Sequence, residues 1–394
     1  MRALIVVKRM LALAALFCGL SGSAAAAGDA CAGLTASVDA VPSGPVFLAS
    51  YPVGAPRELR DVAFLYDNAV AVIALIGCGQ PARAGRIGDA ILAAQAHDRY
   101  WRDGRLRNAY AAGAVGAGSV KLAGWWDAAQ NRWVEDAYQA GSDTGNLAWA
   151  ALALLALDRA QMGPSYRQGA VRLGTWLARQ GDRRGAGGFT GGVSGFEPAP
   201  SRLLWKSTEH NVDLAAVFSS LAVATNDTQW PARALAARIF VHAMWNGRCR
   251  CFAAGTGLDG AAPNPLVALD AQVYPLLALH PSPPPILATI QHRLGDAGGF
   301  AYSETRGGVW TEGTAQVALL FALSGMTRDA AALEVVLAAQ RAPGGGYYAA
   351  SVSAAPTGFG LDTDPLQARS YFHIPALAPL AWVALADRKF NPLR

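Results

Sequence analysis

Apolar residues along the chain fall into two kinds of helical stretch that alternate. Segments 64–76, 145–157, 212–223, 266–279, 315–325 and 374–386 are apolar nearly all the way round. A helix without a polar face must be enclosed on every side. Segments 82–96, 165–180, 231–245, 284–293 and 328–340 carry Arg, Gln and Asp along one stripe, the pattern of surface helices with a single buried side. A repeat links the two kinds. Gln180 precedes Gly187-Gly188-Phe189, Gln291 precedes Gly298-Gly299-Phe300, and Gln340 precedes Gly345-Gly346-Tyr347, with Gln95 and Tyr100 as a degenerate first copy. Glycine permits a tight left-handed turn, and the aromatic can plug the seam to the next unit.

Units recurring at roughly 45–80 residues are stacked supersecondary units. Six enclosed helices alternating with five or six outer ones fit a closed ring, whereas an open solenoid would need polar caps at its ends. The expectation is all-α: one (α/α)6 toroid of helical hairpins over residues 28–394. The stretch 100–141, with Trp101, Trp125, Trp126 and Trp133, reads as a long loop and short-strand insertion building a wall of the ring's mouth.

The first 27 residues read differently. Met1 to Arg9 is basic, the next eleven residues are apolar, and small residues end in an Ala-x-Ala pattern at Ala27. This is the layout of a cleaved signal peptide, its apolar core too short for an anchor. A periplasmic or secreted protein with no stable membrane insertion is expected. The 394 residues are 52% hydrophobic and 15% charged, which excludes a disordered chain. Of the net charge of +5, Arg2, Lys8 and Arg9 belong to the leader and leave +2. With no basic cluster, nucleic acid is not an expected partner. Cys31, Cys78, Cys249 and Cys251 remain in an oxidising compartment where disulfides are the default. Cys249 and Cys251 pair either with each other or with the other two.

Candidate chemistry gathers where the enclosed helices begin. Asp67 and Asn68 open the first, Asp143 and Asn146 the second, and Glu209, His210, Asn211 and Asp213 the third. Asp270 and Gln272 follow, then Glu312, and Asp362 and Asp364 precede the last helix. Parallel inner helices would bring all these starts to one mouth. Acidic residues favour the first turn of any helix, but four polar side chains in five positions at Glu209 exceed what capping needs. Glycoside cleavage needs one carboxylic acid to protonate the leaving oxygen and a second carboxylate for water or direct attack. Trp125, Trp126 and Trp310 are expected to stack on sugar rings, whereas Trp149, Trp176 and Trp382 lie inside helices and read as core. Serine-hydrolase, zinc-protease, phosphate-loop and calcium-loop motifs are missing from the sequence, and neither a metal nor another cofactor is expected.

The segments Tyr66-Asp67-Asn68-Ala69-Val70-Ala71, Thr144-Gly145-Asn146-Leu147-Ala148-Trp149, Ser207-Thr208-Glu209-His210-Asn211-Val212-Asp213 and Trp310-Thr311-Glu312-Gly313-Thr314-Ala315 resemble those of exported bacterial six-hairpin glycosidase-like proteins. The resemblance spans the mature chain at the level of repeat order. It implies the toroid, a carbohydrate substrate and an acidic site at the helix-start mouth. The expected roles are Glu209 as general acid and Glu312 as general base, with Asp143 the rival base. Asp67, Asn68, Asn146, His210, Asn211 and Asp213 are expected to surround the substrate. The Gln and Gly-Gly-aromatic repeat is also similar to that of terpenoid cyclases and protein prenyltransferases, but Asp362-Thr363-Asp364-Pro365 departs from their aspartate cluster. The leading reading is a glycoside hydrolase-like enzyme acting on a poly- or oligosaccharide. The alternatives are a catalytically silent toroid binding a glycan or a partner, and a sugar epimerase or polysaccharide lyase on the same ring.

Overall fold

The computed structural model describes residues 30–118, 120–279, 286–360 and 366–394. The expected leader, the proline-rich 282–285, and Asp362 and Asp364 lie outside the described residues.

In chain order the described helices are α1 (Ala30–Asp39), α2 (Leu65–Gly77), α3 (Pro81–Ala96), α4 (Ala137–Ala140), α5 (Thr144–Arg159), α6 (Pro164–Ala178) and α7 (Thr208–Thr225). They continue as α8 (Gln229–Ala243), α9 (Asp270–Ala278), α10 (Ile286–Leu294), α11 (Thr311–Leu323), α12 (Thr327–Ala339) and α13 (Leu377–Asp387). Helices α2, α5, α7, α9, α11 and α13 form the inner ring, each packed on the next, with α13 returning to α2. The architecture is the expected (α/α)6 toroid.

Composition explains which helix goes where. In α13 every residue from Leu377 to Leu385 is buried, because a helix of Leu, Ala, Val and Trp has no side to give to water. In α8 only Trp230, Ala234, Ala237, Phe240 and Val241 are buried, the single stripe of a surface helix.

Five outer helices were legible in the pattern; the sixth is α1. It buries Leu34 and Val38 and packs against α13 and α2. The last inner helix thus finds its outer partner at the other end of the described chain. A Cys31–Cys78 disulfide ties α1 to the C-terminal end of α2. Cys249 and Cys251 pair with each other, which closes the connectivity left open by the sequence.

Four inner helices share a fastening. The Asn68 side chain accepts from the Leu48 N–H at 2.8 Å and donates to the Leu48 carbonyl at 3.0 Å. Asn211 grips both sides of Phe189 at 2.9 and 3.1 Å, and Gln272 does the same to Phe252 at 2.8 Å on each side. Thr314 accepts from the Phe300 N–H at 3.1 Å. Each also donates to the carbonyl four residues earlier: Phe64, Ser207, Ala268 and Trp310. A buried backbone group must find a partner, and these side chains supply it where an extended segment passes a helix start. Phe189 and Phe300 are aromatics of the glycine repeat, held in the seam. Gly187 and Gly188 turn into that segment with φ of 75° and 86°, a region only glycine enters without strain.

The 100–141 insertion holds the short strands Ala109–Ala111, Trp125–Asp127 and Arg132–Val134. Arg107 is fully buried beneath it, bonded to Asp98 at 2.6 Å and Glu197 at 2.8 Å. A buried guanidinium needs such paired carboxylates.

Candidate active site

A helix turns about 100° per residue, so positions two apart point to nearly opposite sides. The fastening residues therefore set the direction of the residues two before them. With Asn68, Asn211, Gln272 and Thr314 facing the outer seam, Tyr66, Glu209, Asp270 and Glu312 face the ring axis. All four line one cavity of about 570 Å³. Asp143, Asn146 and Tyr138 line it from the start of α5 and from α4.

Beneath the carboxyls lies an aromatic plug. Trp149 meets Tyr66 edge-on at 5.4 Å, Trp382 at 5.6 Å and Tyr274 at 5.8 Å. The Trp382 indole donates to the Tyr66 hydroxyl at 2.8 Å, and that hydroxyl donates to Glu312 Oε1. Gln316 Nε2 donates to Glu312 at 3.3 Å and to the Tyr274 hydroxyl at 3.2 Å. One wall is aromatic as well: Trp310 lies 4.7 Å from Tyr302 and 5.3 Å from Tyr371, ring centre to ring centre.

Glu209 and Asp270 stand on neighbouring inner helices and line the same cavity. Burial, then the charges of Asp270 and Asp213, hold the Glu209 carboxyl well above the usual range. Burial raises Asp270 too, opposed by Glu209, the Ala271 N–H at 2.6 Å and Tyr302. Burial pushes Glu312 up to about 8 against the bonds from Tyr66 and Gln316. Burial likewise brings Asp143 to about 7, against the Gly145 N–H and Arg369. Asp143 caps α5 through that N–H at 3.0 Å and lies 3.3 Å from His210 Nδ1. His210 stands where a Cβ on Gly145 would lie 2.5 Å from its ring.

Of the residues singled out in the sequence, Glu209, Glu312, Asp143, Asn146, His210 and Trp310 share the cavity wall. The others stand elsewhere. The amides of Asn68 and Asn211, expected at the substrate, are committed to the backbone fastening. Asp67 is buried beside Ser50 and brought to about 7, and is not part of the lining. Asp213 is fully buried near Glu209 and Asp270, with neither oxygen in a geometrically complete hydrogen bond. Trp125 and Trp126 lie on the Trp125–Asp127 and Arg132–Val134 hairpin away from the lining, with Trp126 55% exposed.

Sequence reasoning noted Asp270 at a helix start without giving it a role, and passed over Tyr66, Tyr274, Tyr302 and Arg369; all five are on the wall. Trp149 was read as core; it is buried and also lines the cavity. The signal that finds Tyr66 and Asp270 is a polar fastening residue two positions further on. Among the described residues no group of three His, Cys, Asp or Glu side chains is placed to hold a metal ion, and no helix is long and apolar enough to cross a membrane.

No protein-family profile matches the chain, and no curated protein matches it. Solved structures do. A glycosidase variant solved in complex with glucose superposes with a TM-score of 0.60 at 15% identity, over 91% of this chain and 95% of its own. An endo-beta-1,4-glucanase from Acetobacter xylinum gives 0.53 at 14% identity, over 92% and 98%. A GH76 alpha-mannanase from Bacteroides thetaiotaomicron gives 0.52 at 10%, over 92% and 94%. The ring is thus the toroid found in these glycosidases.

Proposed function

We propose that this chain is an exported glycoside hydrolase-like enzyme acting on a poly- or oligosaccharide. The observation that carries the reading is the pair Glu209 and Glu312, which project from different inner helices into one aromatic-lined cavity. Glu209, whose carboxyl is held well above the usual range by burial and the charges of Asp270 and Asp213, is the general acid that donates to the glycosidic oxygen. Glu312 is the base that takes the proton of the attacking water; burial raises its carboxyl to about 8 against the bonds from Tyr66 and Gln316, so its base form grows as pH rises toward that value. Asp143 is the rival for that step. Trp310, Asn146 and His210 bind the sugar, through stacking and hydrogen bonds to its hydroxyls. The glycosidase folds matched above, one of them holding glucose, support a carbohydrate substrate. The leader-like first 27 residues and two disulfides support a periplasmic or secreted location.

The test is digestion of glucans and mannans by the purified chain from residue 28, read as new reducing ends. Glu209→Gln and Glu312→Gln are each expected to lose at least about 10³-fold in kcat while keeping the wild-type Tm. A Glu209→Gln variant that cleaves at the wild-type rate overturns the assignment. Binding without cleavage by wild type replaces it with a silent glycan-binding toroid.

The contact between His210 and Asp143 favours one second reading. A histidine backed by a carboxylate is also the base of a polysaccharide lyase, which would release unsaturated ends absorbing in the ultraviolet.

A further inference from the structure

A hydroxyl has one hydrogen to give and two lone pairs to receive with, whereas an indole N–H only gives. The Trp382 indole donates to the Tyr66 oxygen at 2.8 Å, and the one Tyr66 hydrogen goes to Glu312 Oε1. The 3.2 Å contact between the Tyr66 and Tyr274 hydroxyls therefore has Tyr274 as its donor. Tyr274 in turn accepts from Gln316 Nε2 at 3.2 Å, and the second Nε2 hydrogen goes to Glu312 Oε1 at 3.3 Å. Turned over, the Gln316 amide would set its oxygen against Oε1 with no hydrogen between them. All these hydrogens thus run toward one acceptor, Glu312 Oε1. Among the described residues no hydrogen bond reaches Oε2.

We propose that Trp382 is a positioning residue of Glu312: its indole occupies a Tyr66 lone pair, which keeps the phenolic hydrogen on Oε1 and leaves Oε2 to take the proton of the attacking water. This inference rests on the hydrolase reading and adds the atom at which the base works. In the step a water O–H bond breaks, its hydroxyl joins the anomeric carbon and its proton joins Oε2. The bond from that carbon to the leaving oxygen breaks as this oxygen takes the Glu209 proton. Solvent then removes the proton from Glu312 and returns one to Glu209, with no redox change. Without the indole, the Tyr66 hydrogen can turn to the Tyr274 oxygen, and Glu312 loses a donor.

The packing holds the indole in place. Trp382 is fully buried, with its ring 5.6 Å from that of Trp149 and 5.8 Å from that of Tyr274. A buried indole N–H needs an acceptor for the sake of the fold, so what sets the positioning role apart is coupling to Glu312. The titratable groups facing Glu312 are Tyr66 and Asp67 on α2, Glu209 on α7, and Asp270 and Tyr274 on α9. Tyr51 and Tyr371 face it from outside the inner ring, with Arg369 on the same wall. Of these, Tyr66 alone is hydrogen-bonded to the Glu312 carboxyl.

The experiment compares wild type, Trp382→Phe, Tyr66→Phe and the double variant in the chain from residue 28. The readouts are the pH profile of kcat/KM and 13C NMR titration of labelled glutamate carboxyls, the Glu312 resonance being identified by its loss in Glu312→Gln. Trp382→Phe raises the Glu312 midpoint and the acid limb by about half a pH unit or more, while KM stays within about threefold. In the Tyr66→Phe background the same replacement moves neither, because the indole acts through the phenol. An unmoved midpoint in Trp382→Phe, or the same shift in both backgrounds, overturns the proposal. If Trp382→Phe does not fold, the indole N–H resonances decide. One is expected to titrate together with Glu312 in wild type and to stop doing so in Tyr66→Phe, and finding none that does so overturns the proposal. If wild type hydrolyses no glycan, the hydrolase reading fails, and the NMR midpoints alone decide whether Trp382 acts on Glu312.

Discussion

The Tyr66 hydroxyl donates to Glu312 Oε1 while accepting from the Trp382 indole at 2.8 Å. Residues from the first, fifth and sixth inner helices thus meet at one phenol. Its bond to Glu312 favours the charged carboxylate, so Tyr66→Phe raises the Glu312 midpoint above about 8. The acid limb of kcat/KM is expected to move upward, and activity at pH 7 to fall by about 10-fold or more. A pH–rate profile of the variant checks this.

Burial at the site makes stability depend on pH, with a definite sign. Glu312 titrates near 4.5 in the unfolded chain and about 8 in the folded one. Between those values the folded state holds a proton that the unfolded state has released. The associated stability is complete below pH 4.5 and is lost as pH rises through about 8. One pKa unit corresponds to about 1.4 kcal/mol, so the loss reaches up to about 5 kcal/mol. Glu312→Gln removes this component, and its urea midpoint is expected to fall less between pH 5 and pH 9 than that of wild type.

Asn211 is expected to matter for the fold. Replacing it by alanine leaves the Phe189 N–H and carbonyl buried without their partner, at a cost of about 3 kcal/mol. Thermal unfolding should show a lowered Tm for Asn211→Ala. Asn146→Ala, whose amide reaches Asn108 and Tyr138 at the wall, should instead raise KM.

Gly145→Ala sets helix propensity against sterics. Alanine favours a helix over glycine by about 1 kcal/mol, but its Cβ would lie 2.5 Å from the His210 ring. His210 is expected to leave Asp143, with activity falling and Tm reduced. Adding His210→Ala should restore the Tm without restoring activity, which a double-mutant cycle measures.

Trp126 and Trp133 face each other across an exposed hairpin, 55% and 54% accessible. Trp126→Ala is expected to leave KM for a short oligosaccharide within about twofold. Trp310→Ala, which opens the cavity wall, should raise it by about 10-fold or more. Kinetics on a defined oligosaccharide separates the two.

The toroid was legible because a helix such as α13 has no polar side, and only enclosure accommodates that. Helix α1 was not, since its ten residues lie close after the expected leader and carry only Leu34 and Val38 as strong apolar anchors. The acidic starts were legible as a set, but residue type does not tell which way a side chain points. Asn211 and Glu209 look alike as polar residues at one helix start; two positions of rotation send one to a backbone and the other to the cavity. Asp270 was legible as an acidic start, but its direction was not, because its partner Gln272 reads as a site residue until Phe252 is seen in its grip. Trp149 hid behind a sound inference, for a tryptophan inside an apolar helix is core, and here the core has a surface.

The seating of α1 against α13 has a consequence for biogenesis. A ribosome delivers α1 before α13, so Leu34 and Val38 have no finished berth until α13 has been made. The annulus can shut only once α13 is available, so closure waits on the helix farthest along the sequence from α1 among those described.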